Sequence, residues 1–169
     1  MIPTLKSLIE ILNNSEEFNS FIKTNPKATP CAGFFILDFK ENNFQYTIDY
    51  KIDNNIFSFN INPETKLVTE KQEELIDKSK PLNEVDLKIG TGLEELRSIV
   101  EHELVSNNIK NPLEKIIAVL QAIPENNESM WNLTCMCQGF NIIMIHINAL
   151  DGKIIKFEKK SLFDFVKQK

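Results

Sequence analysis

Residues 44–52 read FQYTIDYKI, with an aromatic or isoleucine side chain at every second position and a polar side chain between them. This period of two is typical of a β-strand with one buried and one solvated face. The run FSFNI at residues 57–61 alternates in the same way, and Asp53-Asn54 between the two runs favours a tight turn. The sequence therefore predicts an antiparallel meander, which continues through a turn at residues 62–65 into a strand that starts at residues 66–68.

Two short helices are predicted before this meander. Apolar residues at positions 5, 8, 9 and 12 follow a helical period. A second helix begins after Ser15, with Glu16 and Glu17 in the first turn, where the macrodipole favours acidic side chains. This helix ends at Asn25-Pro26, because a residue before proline avoids the helical region. The apolar run at residues 33–39 predicts a strand between the helices and the meander.

Helical signals also open the second half of the chain. Thr91-Gly92-Leu93-Glu94 has the form of a capping box, in which the threonine hydroxyl and Glu94 would serve the first backbone amides of a helix. Asn111-Pro112 predicts a further helix, which ends at Pro124. The core residues expected of that helix are Leu113, Ile116, Ile117 and Leu120.

Strand signals follow, as they do in the first half. Residues 131–137 and 142–147 alternate, and Asp151-Gly152 predicts a hairpin into a strand at residues 153–158. A short helix is expected after Ser161. The turn at residues 61–68 matches residues 147–155, with one extra residue in the second copy. We therefore predict an α+β protein of two tandem helix-plus-antiparallel-meander units, residues 1–80 and 81–169, with the charged stretch 70–81 as their junction.

Composition excludes several classes of protein. The chain has 169 residues, of which 42% are hydrophobic and 25% charged, which is typical of a globular protein. A net charge of −5 argues against a nucleic-acid binder, because phosphate recognition needs a concentrated positive field. The N-terminal residues lack a basic stretch before an apolar one, and no apolar run is long enough to span a bilayer. We expect a cytoplasmic protein that contacts neither nucleic acid nor membrane.

The cysteines and histidines do not predict a reactive centre. Cys135 and Cys137 share a strand face with Trp131, so we expect buried structural thiols; a metal or redox role together with Cys31 or His146 is the alternative. The other histidine, His102, lies between two glutamates on a predicted helix face. Gly90-Thr91-Gly92 lacks the lysine and the third glycine that phosphate-binding loops need. We therefore predict no catalytic residue, cofactor or metal, and no enzymatic activity.

One strand face is apolar where a solvated sheet would be polar. Its residues are Met130, Met136, Ile142 and Met144, on the side opposite Trp131. A sheet that is apolar on both faces is normally packed between layers, so we expect the helices of the first half, a second chain or a ligand to cover this face. We prefer the interpretation that the helices of the first half cover this face. These four residues form the predicted interaction face, since methionine suits adaptable contact surfaces.

The second half resembles a PepSY domain over residues 92–157. The resemblance rests on Trp131 and Leu133, on FNIIMIHINA at residues 140–149 and on DGKII at residues 151–155. It implies a half-cystatin-like shape, with a helix packed on a small antiparallel meander. PepSY domains are mostly extracytoplasmic and are often attached to peptidases, whereas for this chain we expect neither an export signal nor an attached peptidase. The family supplies no catalytic residues to transfer.

These observations predict a non-catalytic binding or regulatory module that acts through protein–protein contacts. Its partner would be another protein or a second copy of the chain. The alternative is a carrier of a small apolar ligand, held in a pocket between helix and sheet.

Overall fold

The computed structural model describes residues 1–74, 82–139 and 141–161, and these residues form an α+β fold. The described part contains three α-helices and eight β-strands. The helices are α1 (Leu5–Asn13), α2 (Glu16–Thr24) and α3 (Leu96–Ser106). The strands are β1 (Thr29–Asp38), β2 (Asn43–Ile52), β3 (Asn55–Ile61), β4 (Val68–Glu74), β5 (Leu113–Ala122), β6 (Ser129–Cys137), β7 (Asn141–Asn148) and β8 (Ile154–Ser161).

All eight strands form one antiparallel sheet in the order β4-β3-β2-β1-β5-β6-β7-β8. The central pair β1 and β5 joins a meander from the first half to a meander from the second half. The predicted α+β class is therefore confirmed. The boundary predicted between residues 80 and 81 and the helix predicted after Ser161 lie outside the described residues, and the division into two units stays a prediction.

The helices pack on one face of the sheet, which we call the inner face; the opposite face is the outer face. A single hydrophobic core contains helix residues from both halves together with inner-face residues of the strands. In the first half this core is aromatic: Phe18 lies 4.9 Å from Tyr50 and Phe21 lies 4.8 Å from Phe57, centroid to centroid. Across the sheet centre, Phe35 of β1 lies 5.8 Å from Trp131 of β6.

The first two helices begin where the sequence predicts. Ser15 Oγ accepts a hydrogen bond from the Phe18 amide, and Thr4 Oγ1 caps α1 in the same way. The second-half helix begins differently from the prediction. Gly92 is the N-cap of a 3-10 turn that leads into α3, and the Gly92 amide donates to Glu95 Oε2 at 2.6 Å. The capping roles predicted for Thr91 and Glu94 are therefore wrong.

The helix predicted after Pro112 is also wrong, because residues 113–122 form strand β5. Both faces of this central strand are apolar, and residues taken from the two faces together imitate a helical period. Ile116 and Leu120 lie on the inner face, while Ile117 lies on the outer face beside Ile36 of β1. Pairing with β1 on one side and β6 on the other satisfies the backbone of β5, so tertiary context overrides the local capping signal.

Residues 70–74, predicted as part of the junction, extend strand β4 instead. This strand is the edge of the sheet in the first half. Its charged sequence fits that place, since charged side chains on an edge strand oppose pairing with other chains.

Two asparagine turns repeat one geometry in the two halves. Asn62 Oδ1 accepts hydrogen bonds from the amides of Glu64 and Thr65, and Asn148 Oδ1 accepts from the residues equivalent to them. The residue four positions after each asparagine has a positive φ, at Lys66 and at Gly152. The backbone amide of each asparagine also donates a hydrogen bond to the backbone carbonyl five residues later in the chain. The offset between the copies is constant through the turn itself. The extra residue predicted in the second copy follows the turn, because the register of β7 and β8 shifts from Ile147–Ile154 to His146–Lys156 and leaves Ile155 without a partner in the pairing.

Candidate binding surface

The structure places all four residues of the predicted interaction face on the outer face of the sheet. Met136 lies directly across from Ile142, and Met144 lies across from Thr134. Met130 lies nearer the end of β6, across from Asn148. Since directly opposed residues of an antiparallel pair point to the same side, Met136, Ile142 and Met144 are neighbours on β6 and β7. Met130 lies apart from them, beyond Asn132 and Thr134 on the same face of β6.

Burial differs among the four residues. Met130 is 8% exposed but does not belong to the hydrophobic core, and the other three are half-buried. The helices of the first half pack on the inner face, so they do not provide the cover that the sequence favoured. Among the described residues, no helix lies over this part of the outer face.

The apolar surface extends further than the sequence predicted. Strand register places Ile36 of β1 beside Ile117 of β5, and Phe34 beside Val119. Phe34 is 39% exposed, whereas the other three side chains are half-buried. We call the whole surface the outer patch, and its residues are Phe34, Ile36, Ile117, Val119, Met136, Ile142 and Met144.

Sequence analysis missed the β5 part of the outer patch because it assigned those residues to a helix. The β-branched residues Ile116, Ile117 and Val119 were the available signal, since such side chains favour strands. The β1 part was missed because an uninterrupted apolar run does not show which of its residues point outward.

A polar depression adjoins the outer patch in the first half. It has a volume of about 640 Å³. Its lining residues include Phe34, Thr47, Asp49, Ser58, Asn60 and Glu73. Asp49 Oδ1 is buried and has no hydrogen-bond partner within the described protein. Burial raises the pKa of the Asp49 carboxyl, a hydrogen bond with the Ser58 side chain opposes the rise, and Glu73 adds to it. This oxygen is an acceptor without a donor.

The far edge of the outer face is basic. Lys156 and Lys160 on β8 each approach Glu158 at 3.5 Å. His146 lies between Asn132 of β6 and Lys156 of β8 on the same face. Burial lowers the pKa of His146, and the charge of Lys156 lowers it further. At neutral pH this edge therefore carries lysine charge beside a neutral imidazole.

The cysteine thiols are buried on the opposite side. Cys135 and Cys137 lie in the core with Trp131, as the sequence predicts. Burial raises the pKa of the Cys135 thiol and of the Cys137 thiol, and it raises the pKa of Cys31 to about 12. Thiols with raised pKa values stay protonated at neutral pH and are poor nucleophiles and metal ligands. In the described residues, no three His, Cys, Asp or Glu side chains cluster closely enough to hold a metal ion.

The remaining candidate residues from the sequence lie apart from one another and do not form a common site. His102 is exposed on α3, and Gly90 and Thr91 donate their amides to the Ala149 carbonyl instead of facing an anion. The Thr91 carbonyl accepts a hydrogen bond of 2.8 Å from Trp131 Nε1. These contacts give the segment a structural role.

A second concave region lies beside α1. It is a cleft of about 830 Å³ between that helix and the extended segment 87–92. Its apolar lining comes from Leu5, Ile9, Leu87 and Ile89, and its charged lining comes from Lys6, Glu10, Lys88 and Glu94. The cleft therefore lies between a helix and an irregular segment, whereas the sequence placed an alternative ligand pocket between helix and sheet.

Comparison with known proteins supports the fold. No family model and no curated protein matches the chain. A crystal structure of a putative lipoprotein from Clostridium difficile 630 is similar, with a TM-score of 0.59 and 20% sequence identity. The similarity covers 86% of this chain and 91% of that one, and at this identity it shows the fold alone. None of the described helices is both long enough and apolar enough to cross a membrane.

Proposed function

We propose that the protein is a non-catalytic binding module that acts through protein–protein contacts at the outer patch. The observation that carries this proposal is the set of apolar side chains on β1, β5, β6 and β7 that no described helix covers. Contiguous exposed apolar surface is typical of interaction sites in soluble proteins. Half-buried methionines strengthen the proposal, because their flexible side chains adapt to a partner surface.

The thiols and the histidines support a non-catalytic role. The three cysteines are buried and protonated, and His102 is separated from them on the surface of α3. Nucleophilic catalysis needs a nucleophile within hydrogen-bond reach of a base, and in the described part of the chain no cysteine is hydrogen-bonded to a histidine.

A photo-crosslinking experiment in the protein's own cells tests the proposal. The probe variant is Met144→p-benzoylphenylalanine, and the matched control is Asn60→p-benzoylphenylalanine on the polar outer face of β3. We expect a protein adduct at position 144 that is absent at position 60. The adduct partner, identified by mass spectrometry, should bind the purified chain and lose binding to the Met144→Lys variant. Equal adducts at both positions would contradict the proposal.

The cleft beside α1 favours a second candidate function, a carrier of a small apolar ligand. Its volume of about 830 Å³ lies within the ~300–1,000 Å³ typical of ligand pockets. The test measures the fluorescence of an apolar dye on titration with the protein. Ile9→Trp, which adds volume inside the cleft, should abolish the signal, while Val105→Trp on the exposed face of α3 should leave it unchanged. Equal binding by both variants would exclude the cleft as the dye site.

A further inference from the structure

We propose that residues 162–169 pack on the outer face over Met136, Ile142 and Met144, so that a partner reaches these side chains only by displacing the segment. This inference rests on the proposed function, because it concerns access to the same outer patch. The segment reads LFDFVKQK, follows directly after β8 and lies outside the described residues.

The place where β8 ends brings this segment to the apolar side chains. Ser161, the last residue of β8, pairs with Asn141, and Asn141 is followed by Ile142. Met136 lies directly across from Ile142 on the next strand, β6. The segment therefore begins at the corner of the sheet where the outer patch also begins.

The length of the segment matches the part of the outer patch on β6 and β7. Its eight residues span about 12 Å as a helix. Strand β6 lies two strands from β8, which is about 10 Å at about 4.8 Å per strand. A helix that starts at the end of β8 can therefore cross β7 and reach β6, and it leaves Phe34 on β1 uncovered.

The residue pattern of the segment fits a contact with an apolar surface. Leu162, Phe163 and Val166 lie on one face of the helix that the sequence predicts after β8, whereas Gln168 lies on the opposite face. A short helix of this kind is stable only when its apolar face packs against another surface.

Burial selects the outer face of the sheet over the inner face. At the end of β8, the inner-face neighbours Cys137 and Ile143 already belong to the core and are 4% and 0% exposed. On the outer face, Met136, Ile142 and Met144 are only half-buried. The outer face is therefore the side that offers apolar surface to the segment.

Attachment to β8 favours this occupant over a separate molecule. A segment joined to its site by a short connection acts at an effective concentration of about millimolar. The apparent affinity for a partner is then reduced in proportion to the fraction of molecules whose patch is open. Residues 162–169 thus form an autoinhibitory contact.

Photo-crosslinking in the purified full-length protein tests the contact. The probe variant is Phe163→p-benzoylphenylalanine, and the matched control is Gln168→p-benzoylphenylalanine on the opposite helix face. At low protein concentration we expect position 163 to form an adduct with outer-face residues of β6 or β7 of the same chain, with at least ~10-fold less adduct from position 168. Equal yields from the two positions, an adduct with a second copy only, or no adduct with β6 or β7 would overturn the proposal.

Thiol labelling measures the cover without a crosslinker. Met144→Cys places a thiol beneath the segment, while the three native cysteines are buried and report by staying unlabelled that each variant is folded. Adding Phe163→Asp should raise the labelling rate of that thiol at least ~10-fold, because a charge on the apolar face displaces the segment. Gln168→Asp adds the same charge on the polar face and should leave the rate unchanged. Equal labelling rates in the two variants would overturn the proposal.

Crosslinking in cells separates this inference from the proposed function. Phe163→Asp should increase the amount of partner captured by Met144→p-benzoylphenylalanine at least ~3-fold, because it opens the patch. A partner captured equally with and without Phe163→Asp would support the binding function and overturn the autoinhibitory contact. An adduct within the chain from position 163, with no partner captured from position 144 in either variant, would support the cover and overturn the binding function.

Discussion

The two halves of the sheet share a topology but differ on the outer face. In the first half this face carries Gln45, Thr47 and Asn60, whereas in the second it carries Met136, Ile142 and Met144. Both halves bury their inner faces in the same core. Within the first half, β2 and β3 are polar at these positions, whereas β1 adds Phe34 and Ile36 to the apolar surface beside β5. Since β2 and β3 fold with a polar outer face, an apolar outer face is not a general requirement of this sheet. This difference supports the binding role that we propose for the outer patch.

The inner faces of the two halves differ as well, since the second half buries a tryptophan where the first buries a tyrosine. The largest loss of stability is expected when this tryptophan is replaced. Trp131 and Tyr46 both lie on the inner face, and each has a β-strand neighbour in the centre of the sheet, Leu120 and Phe35 respectively. Trp131→Ala should lower the free energy of unfolding by about 3–5 kcal/mol, because it removes a fully buried aromatic side chain. Urea denaturation followed by circular dichroism measures this loss.

Conservative replacements sharpen the comparison of these two residues. Trp131→Phe leaves the Thr91 carbonyl without its donor and should cost about 1–3 kcal/mol in addition to any packing loss. Tyr46→Phe should change stability by less than about 0.5 kcal/mol, because the Tyr46 hydroxyl makes no hydrogen bond within the described part of the chain. A loss below about 1 kcal/mol for Trp131→Ala would contradict the anchoring role of Trp131.

Replacing a cysteine by serine should lower the stability by different amounts in the two halves. Cys135→Ser should cost about 1–3 kcal/mol, because it places a hydroxyl without a partner in the core. Cys31→Ser should cost less, since the Cys31 thiol donates to the Asp49 carbonyl at 3.5 Å and a hydroxyl can keep that bond. Chemical denaturation compares the two variants. Stoichiometric zinc in the purified wild-type protein would contradict a purely structural role for these cysteines.

The asparagine turns offer a third comparison. Gly152 has φ +76°, and a Cβ there would lie 2.8 Å from Thr91 Oγ1, so Gly152→Ala should cost about 1–2 kcal/mol. Lys66 occupies the equivalent position with φ 59°, and Lys66→Gly should add about 0.5 kcal/mol because the relief of backbone strain exceeds the entropy cost. Thermal unfolding of both variants checks the opposite signs. A loss of stability in both would show that the turns are not equivalent.

The smallest effect is expected at Asp49. Its pKa is raised in the folded state, so between the unfolded and the folded pKa the native protein binds more protons than the unfolded chain. The contribution of Asp49 therefore favours folding at low pH and weakens as the pH rises through that interval. Asp49→Asn should remove this part of the pH dependence and stabilise the protein slightly at neutral pH. Unfolding curves of both proteins between pH 4 and pH 7 measure the difference, and parallel curves would contradict the assignment.

Local signals predicted the fold correctly where one face of an element is polar. The helices α1 and α2 and the strands β2 and β3 followed the predicted periods, because a single buried stripe defines the period without ambiguity. The prediction for strand β5 was wrong, because side chains on both faces of this strand are apolar and no single buried stripe defines the period. The predicted capping box was wrong by one residue, because Gly92 is the N-cap and Glu95, instead of Glu94, accepts a hydrogen bond from the N-cap amide.

The amino-acid sequence by itself determined the α+β class, the antiparallel meanders, the burial of the cysteines and the outward direction of Met130, Met136, Ile142 and Met144. All of these follow from periodicity and turn chemistry, which act over a few residues. Only the tertiary structure decided that β1 pairs with β5 and that Phe34, Ile36, Ile117 and Val119 complete the outer patch. It also decided that the helices of both halves pack on the inner face. Strand order and the choice of face depend on contacts between residues far apart in the chain, where sequence periodicity carries no information.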